Sequence, residues 1–157
     1  MPKQYWLVKS EPNVFSINDF KKCKNQTTFW DGVRNYQARN YLRDQMKKSD
    51  AVLFYHSNTD PLAVVGYCEV VADGYPDHTQ FDPENIHYDP KADPDNPTWF
   101  MVDLKLVDIF DSAVTIEKIK SHPKLNNMKL IARGNRLSVM PVAKEEFDII
   151  VKMGKNK

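Results

Sequence analysis

Two β-rich runs that follow each other almost directly constrain the fold of this chain more than any other feature. Residues 51–57 and 62–71 are apolar, β-branched or aromatic, and residues 58–61 between them, NTDP, suit a turn. This spacing predicts an antiparallel hairpin, and Gly66 inside the second run predicts a bulge or a bend. Because the two strands are joined without a crossover helix, a doubly wound parallel sheet is disfavoured.

The remaining predicted elements are short. We expect strands over 5–9, over 99–107 with residues 109–112 extending or closing it, and over 136–142, and helices over 16–22, 37–47, 115–120 and 143–153, with a turn near 126–131. The order is one strand, two helices, three longer strands, small helices, a strand and a helix. It predicts the α+β class, as a small mixed β-barrel with peripheral helices.

The length and composition predict one globular domain over 1–157. The chain has 157 residues, of which 41% are hydrophobic and 27% are charged, far from the composition of disordered chains. No apolar run approaches the roughly 20 residues that span a bilayer, and the N-terminus lacks the apolar core of a signal peptide. The two cysteines, Cys23 and Cys68, are far apart and form no zinc-binding motif. We therefore expect a soluble, intracellular protein without membrane contact.

Charge is distributed unevenly although the net charge is only +1. Residues 1–50 carry ten Lys and Arg against five Asp and Glu, residues 51–117 carry two against thirteen, and residues 118–157 carry ten against three. If the two basic ends meet in space, they form a positive face suited to phosphates. The alternative is that these charges are scattered over a solvated surface.

Residues 73–97 form a proline-rich acidic segment without periodicity, which predicts a long loop that acts as a lid or a rim. His78 and His87 lie in it beside several aspartates, whose oxygens could bind a hard cation weakly. No metal-binding spacing accompanies them, so we expect a hydrated loop and no metal. None of the five glycines lies in a phosphate-binding motif, so no nucleotide cofactor is expected.

Aromatic and polar side chains near the predicted strand ends are the most distinctive feature left. Trp6, Trp30 and Tyr55 are examples, and Asn35 and His56 lie close to them in the sequence. Aromatic rings stack on the faces of a flat heterocycle, while amide and imidazole groups bond to its edge. This combination favours a nucleobase pocket.

Four longer strings carry a resemblance to a known family: YWLVKSEP at 5–12, WDGVRNYQARNYLR at 30–43, KKSDAVLFYHS at 47–57 and RLSVMPV at 136–142. They resemble the EVE domain family, and YPDHTQFDP at 75–83 and WFMVDLK at 99–105 also fit. The resemblance implies a PUA-like barrel related to the YTH domains, and a nucleic-acid reader of a modified base, either modified cytosine in DNA or a modified base in RNA. The chain begins at the domain, which favours a cytoplasmic protein, or a nuclear one if the source is eukaryotic.

The resemblance also implies which residues form the site. The base pocket would be built by Trp6, Ser10, Pro12, Trp30, Arg34, Asn35, Tyr55, His56, Ser57, Arg136, Leu137 and Ser138. We expect phosphate contacts from Arg39, Arg43 and Arg133, with Arg34 and Arg136 as further candidates.

Two other functions remain open at this stage. One is a small hydrolase that acts on a nucleobase- or nucleoside-like amide, using Lys9, Glu11 or His56, since PUA-like folds host both binding and catalysis. The other is a pocket for a small metabolite unrelated to nucleic acid, which the low net charge permits. The oligomeric state is also open.

Overall fold

The computed structural model describes residues 3–155, and a six-stranded mixed sheet forms its centre. The strands are β1 (Tyr5–Ser10), β2 (Thr27–Phe29), β3 (Ala51–His56), β4 (Ala63–Pro76), β5 (Phe100–Thr115) and β6 (Val139–Val142). They lie in the order β2-β5-β4-β3-β1-β6, with β1 and β3 parallel and every other pair antiparallel. The predicted α+β class with peripheral helices is confirmed. The predicted barrel is not closed, because the sheet is open with β2 and β6 at its edges.

The predicted hairpin and its bulge are both present. β3 and β4 pair antiparallel, and the register shifts between Phe54 and Tyr55, opposite Gly66. A side chain at Gly66 is excluded because a Cβ atom there would lie 2.4 Å from the Asp108 carbonyl oxygen. Glycine therefore lets β5 approach β4 closely at the bend.

In the described part of the chain, four α-helices surround the sheet: α1 (Ile17–Lys21), α2 (Tyr36–Asn40), α3 (Ile116–Ser121) and α4 (Lys144–Lys155). The chain leaves α2 through a π-helical turn over Tyr41–Gln45, which completes the helix predicted over 37–47. Single 3₁₀ turns occupy Lys24–Gln26, His78–Phe81 and Lys129–Ile131. Among residues 3–155, no helix has the length and apolar character needed to cross a membrane.

Apolar side chains cover both faces of the sheet, so the protein has two cores. Trp6, Val8 and Phe54 belong to the first, together with α1 and α2. Leu7 and Tyr55 belong to the second, which α3 and α4 help to cover. Alternation along a strand sends neighbouring residues to opposite cores. This division decides which predicted site residues lie together.

Several boundaries differ from the predictions because long-range pairing sets them. β4 continues through Pro76, since its end pairs with the start of β5, and this shortens the predicted loop. The last strand begins at Val139 instead of Arg136, where pairing with β1 starts. β2 has three residues and was not predicted. The predicted domain range of 1–157 includes terminal residues that lie outside the described part of the chain.

Candidate functional site

A cleft of about 590 Å³ opens beside Trp30. It lies between the end of β1, the segment that follows β2, and residues 77–97, which we call the acidic loop. Its apolar wall contains Phe15, Phe29 and Trp30. Its polar wall contains three serines, a threonine, a lysine, two carboxylates and an imidazole, which are Ser10, Ser57, Ser138, Thr28, Lys9, Glu11, Asp31 and His87. The size and this mixture suit a flat ring with polar edges.

Trp30 is held from two sides. Its backbone N–H donates to the Val102 carbonyl oxygen at 2.7 Å, which ties it to β5. Its indole meets Phe54 edge-to-face, with ring centroids 5.6 Å apart, and meets Phe15 in the same way at 6.1 Å. The indole is only half-buried, so it is both fixed by the first core and accessible from the cleft.

The three serines converge because of strand pairing. The backbone N–H of Ser57 donates to the Ser10 carbonyl oxygen, and that of Lys9 donates to the Ser138 carbonyl oxygen, both at 2.9 Å. The Ser10 hydroxyl donates to the Phe15 carbonyl oxygen at 2.5 Å. The hydroxyls of Ser57 and Ser138 have no hydrogen-bond partner within residues 3–155 and are available to a ligand.

The buried Asp77 connects the Trp30 segment to the acidic loop. Its Oδ2 accepts from the Gly32 N–H at 2.8 Å and from Arg34 Nη1 at 3.0 Å, while Thr79 donates to Oδ1. Burial by itself would raise the pKa of Asp77, but the hydrogen bonds from Thr79, Gly32 and Arg34 outweigh it and lower the pKa. Asp77 therefore carries a negative charge that its neighbours stabilise.

The acidic loop reaches the cleft through one lining residue, His87. Arg34 donates to the His87 carbonyl oxygen through Nη2 at 2.8 Å, and the His87 ring packs over Gly32. A Cβ atom on Gly32, whose φ is +78°, would lie 2.6 Å from that ring. The buried Nδ1 of His87 makes no hydrogen bond, and it lies 3.7 Å from Asp31 Oδ2.

Four predicted base-pocket residues line this cleft: Ser10, Trp30, Ser57 and Ser138. Trp6 and Tyr55 do not, which corrects their predicted placement. Trp6 is only 1% exposed and donates its indole N–H to Asp50 Oδ2 at 2.9 Å. Tyr55 is 3% exposed and packs in the second core, on the sheet face opposite to Phe54.

Other predicted pocket residues support the cleft without lining it. Asn35 Oδ1 accepts from the Ala38 N–H at 3.0 Å and so caps α2. His56 Nε2 accepts from the Ile17 N–H at 3.1 Å, and burial lowers the pKa of His56, which keeps it neutral. The remaining members of the predicted set that lie outside the lining are Pro12, Arg34, Arg136 and Leu137.

Of the arginines predicted to contact phosphate, some already bond to other residues of the protein and some do not. Arg39 donates to the Thr98 carbonyl oxygen at 2.6 Å, and Arg43 forms two hydrogen bonds with Asp44, at 2.9 and 2.8 Å. Arg133 and Arg136 are exposed and form no ion pair within the described residues. Because β1 pairs with β6, the two basic parts of the sequence do meet in the sheet.

Of the residues suggested for a hydrolase, Lys9 and Glu11 line the cleft and His56 does not. Glu11 accepts a hydrogen bond from Asn58 Nδ2 at 2.8 Å, and His56 is bonded to α1. Lys9 lies at the end of β1 in register with Tyr55, and it lines the cleft. Burial lowers the pKa of Lys9. No contact in the described chain links these residues as a nucleophile and a base.

Sequence reasoning did not place Phe15, Phe29, Gly32 or His87 in the site. Gly32, directly after Trp30 and Asp31, is the feature of the sequence that could have indicated this part of the site, because a glycine allows another group to approach the backbone closely. His87 had no such signal, since it reaches the cleft through a long loop held by Arg34.

The chain is similar to known proteins over nearly its whole length. The model of the EVE domain family matches residues 4–153. Thymocyte nuclear protein 1 of Mus musculus is 44% identical over 166 residues, which cover 95% of this chain and 73% of that protein. The structure of human THYN1 protein in complex with DNA containing 5-methylcytosine matches with a TM-score of 0.91 and 42% identity, over 99% of both chains.

A more distant structure shares only the fold. The YTH domain of Zygosaccharomyces rouxii MRB1 protein, solved in complex with N6-methyladenosine RNA, matches with a TM-score of 0.58 and 13% identity. It covers 99% of this chain and 86% of that domain.

Proposed function

Because this chain belongs to the EVE domain family, we propose that it binds nucleic acid and holds one modified base, of the cytosine type, in the Trp30 cleft. One observation carries the proposal. An open cleft with an accessible indole is present in a chain that is 42% identical, over nearly its whole length, to a protein solved with DNA containing 5-methylcytosine. We propose Trp30 as the stacking surface, with Ser57 and Ser138 as hydrogen-bonding groups at the edge of the base.

The energy of stacking is comparable to the cost of exposing a base. Extruding a base from a duplex costs a few kcal/mol, and least for a single strand or a mismatch. Stacking on an aromatic ring returns about 1–3 kcal/mol per base. Burial of a methyl group adds about 0.8 kcal/mol, which is roughly a fourfold preference. We therefore propose that single-stranded or weakly paired DNA binds more tightly than a perfect duplex.

The backbone contacts are assigned to the free arginines. Arg133 and Arg136 precede Ser138, which lines the cleft, so a strand whose base enters the cleft passes close to them. Arg39 and Arg43 are already bonded to Thr98 and Asp44, and we propose only a minor contribution from them. We also propose a single domain over 1–157 and, if the source is eukaryotic, a nuclear location, as the name of the relatives suggests.

Titration of the protein with a labelled single-stranded oligonucleotide that carries one 5-methylcytosine tests the proposal. Trp30→Ala is expected to weaken binding about 5- to 150-fold, the equivalent of 1–3 kcal/mol, while Trp30→Phe keeps most of the affinity. Tyr88→Ala is the matched control, because Tyr88 is an exposed aromatic outside the cleft. Equal affinities for the wild type and Trp30→Ala would overturn the proposal.

A further inference from the structure

We infer that Asp31 selects the class of base that enters the Trp30 cleft, by accepting a hydrogen bond from an exocyclic amino group. This inference rests on the proposed function and deepens it. It assigns the cleft to amino-bearing bases of the cytosine type and excludes keto bases of the thymine and uracil type.

Asp31 is a cleft carboxylate without an internal hydrogen bond. It lines the cleft directly after Trp30, and no residue within 3–155 donates to its oxygens. His87 Nδ1 lies 3.7 Å from Asp31 Oδ2, which is beyond hydrogen-bond distance. The Asp31 carboxylate therefore has free hydrogen-bonding capacity on the wall of the cleft, whereas His87 Nδ1 is buried.

The other carboxylates of this region are already engaged. Asp77 accepts from Gly32, Arg34 and Thr79 and is fully buried. Glu11 accepts from Asn58 Nδ2 at 2.8 Å. Asp31 is thus distinguished from its acidic neighbours by being open to a ligand.

The backbone fixes Asp31 on both sides. The N–H of Trp30 donates to the Val102 carbonyl oxygen at 2.7 Å, and the N–H of Gly32 donates to Asp77 at 2.8 Å. Asp31 lies between these two bonds, so its Cα cannot move far relative to the indole beside it. A group positioned before the ligand arrives loses little entropy on binding.

The chemistry of a carboxylate then decides which base fits. An ionised carboxylate only accepts hydrogen bonds. The amino group at C4 of cytosine donates, and acidic side chains recognise it in this way, whereas the O4 atom of thymine is itself an acceptor. A thymine in the same position would place its O4 atom against the Asp31 carboxylate, and two acceptors cannot form a hydrogen bond with each other. The negative charge of Asp31 also repels phosphate, which favours the base at this end of the cleft.

Two oligonucleotides that differ at a single position test the inference. One carries 5-methylcytosine and the other thymine, so both bases have the same 5-methyl group and a similar stacking surface. We expect the wild type to bind the 5-methylcytosine strand about 5- to 150-fold more tightly, the range of one base-edge contact. Asp31→Asn should bring the ratio of the two affinities close to one, because an amide both donates and accepts.

The control variant removes one negative charge from a residue outside the cleft. Asp111 is exposed on β5 and does not line the cleft, so Asp111→Asn changes the affinity for both strands equally and leaves their ratio as in the wild type. Asp31→Ala is a second variant that should also lose the preference. Unfolding midpoints equal to that of the wild type verify that both Asp31 variants fold, as expected for a side chain without internal hydrogen bonds.

The outcomes separate the inference from the proposed function. If Asp31→Asn keeps the wild-type ratio while Trp30→Ala loses affinity, the inference is overturned and the proposed function stands. If the wild type binds neither strand at low salt, the proposed function is overturned and the inference with it. A wild type that binds both strands equally also overturns the inference.

Discussion

Arg34 Nη1 and Asp77 Oδ2 lie 3.0 Å apart, and this ion pair joins the segment that carries Trp30 to the acidic loop that carries His87. Asp77 is fully buried, while the Arg34 side chain is 24% exposed. The two walls of the cleft come from parts of the chain more than forty residues apart, and this pair is a direct bond between them. Together with the bonds from Gly32 to Asp77 and from Arg34 to the His87 carbonyl oxygen, the pair holds the two walls of the cleft together.

Asp77→Asn is expected to destabilise the protein by about 2–3 kcal/mol, because it removes charge-assisted hydrogen bonds that a buried carboxylate accepts. Urea unfolding at pH 7 measures this change. Asp44→Asn is the control, since Asp44 pairs with Arg43 on the exposed surface, where an ion pair contributes little. A similar loss in both variants would contradict the role assigned to Asp77.

The contribution of Asp77 should also depend on pH. Hydrogen bonds hold its pKa below the ordinary carboxyl value, which is about 3.9 in the unfolded chain. The stabilisation is therefore present above that value and is lost as the pH falls through the lower folded pKa. We expect the stability difference between the wild type and Asp77→Asn to shrink below about pH 4. A stability difference between the two proteins that stays constant from pH 7 to pH 3 would contradict the lowered pKa of Asp77.

Gly32→Ala is expected to cost stability and also binding. The positive φ of +78° disfavours alanine by about 1–2 kcal/mol, and the new Cβ atom would displace the His87 ring. Gly134→Ala separates the two effects, because Gly134 has a similar φ of +80° but open space around it. Both variants should lose stability, and only Gly32→Ala should weaken binding of the free 5-methylcytosine nucleoside, which has no phosphate for Arg133 and Arg136 to contact. Equal affinities of the two variants would show that His87 does not shape the cleft.

The double variant Arg133→Ala and Arg136→Ala tests the backbone contacts. Loss of two phosphate contacts lowers the slope of log affinity against log salt concentration by about 1.4 for a single strand. Arg43→Ala should change the slope less, since Arg43 already pairs with Asp44. A larger change for Arg43→Ala would move the nucleic-acid path towards the helix α2 side of the protein.

Local signals were sufficient to predict most of the fold. The hairpin and its bend at Gly66, and the helix capped by Ser16, follow from short patterns that need no distant partner. β2 and the end of β4 were not predicted because pairing with β5, far along the chain, defines them. The open edges of the sheet likewise depend on how all six strands pair, which no local pattern indicates.

The site could be predicted only in part, for a similar reason. Trp30 and the three serines, which the resemblance to the EVE domain family implied, were found in the lining of the cleft. Trp6 and Tyr55 were not placed correctly, because apolar residues cover both sheet faces and alternation alone does not tell which core a strand residue joins. His87 comes from a loop whose path depends on Arg34 and Asp77.

The indole N–H signals of the three tryptophans, followed by NMR during titration with a 5-methylcytosine strand, test the central claim most directly. Trp6 and Trp99 are internal controls, since their indoles are bonded to Asp50 and Asp89 and do not line the cleft. We predict a large change in the signal of Trp30 and small changes in the other two. A Trp30 signal that stays unchanged while the protein binds would contradict the account.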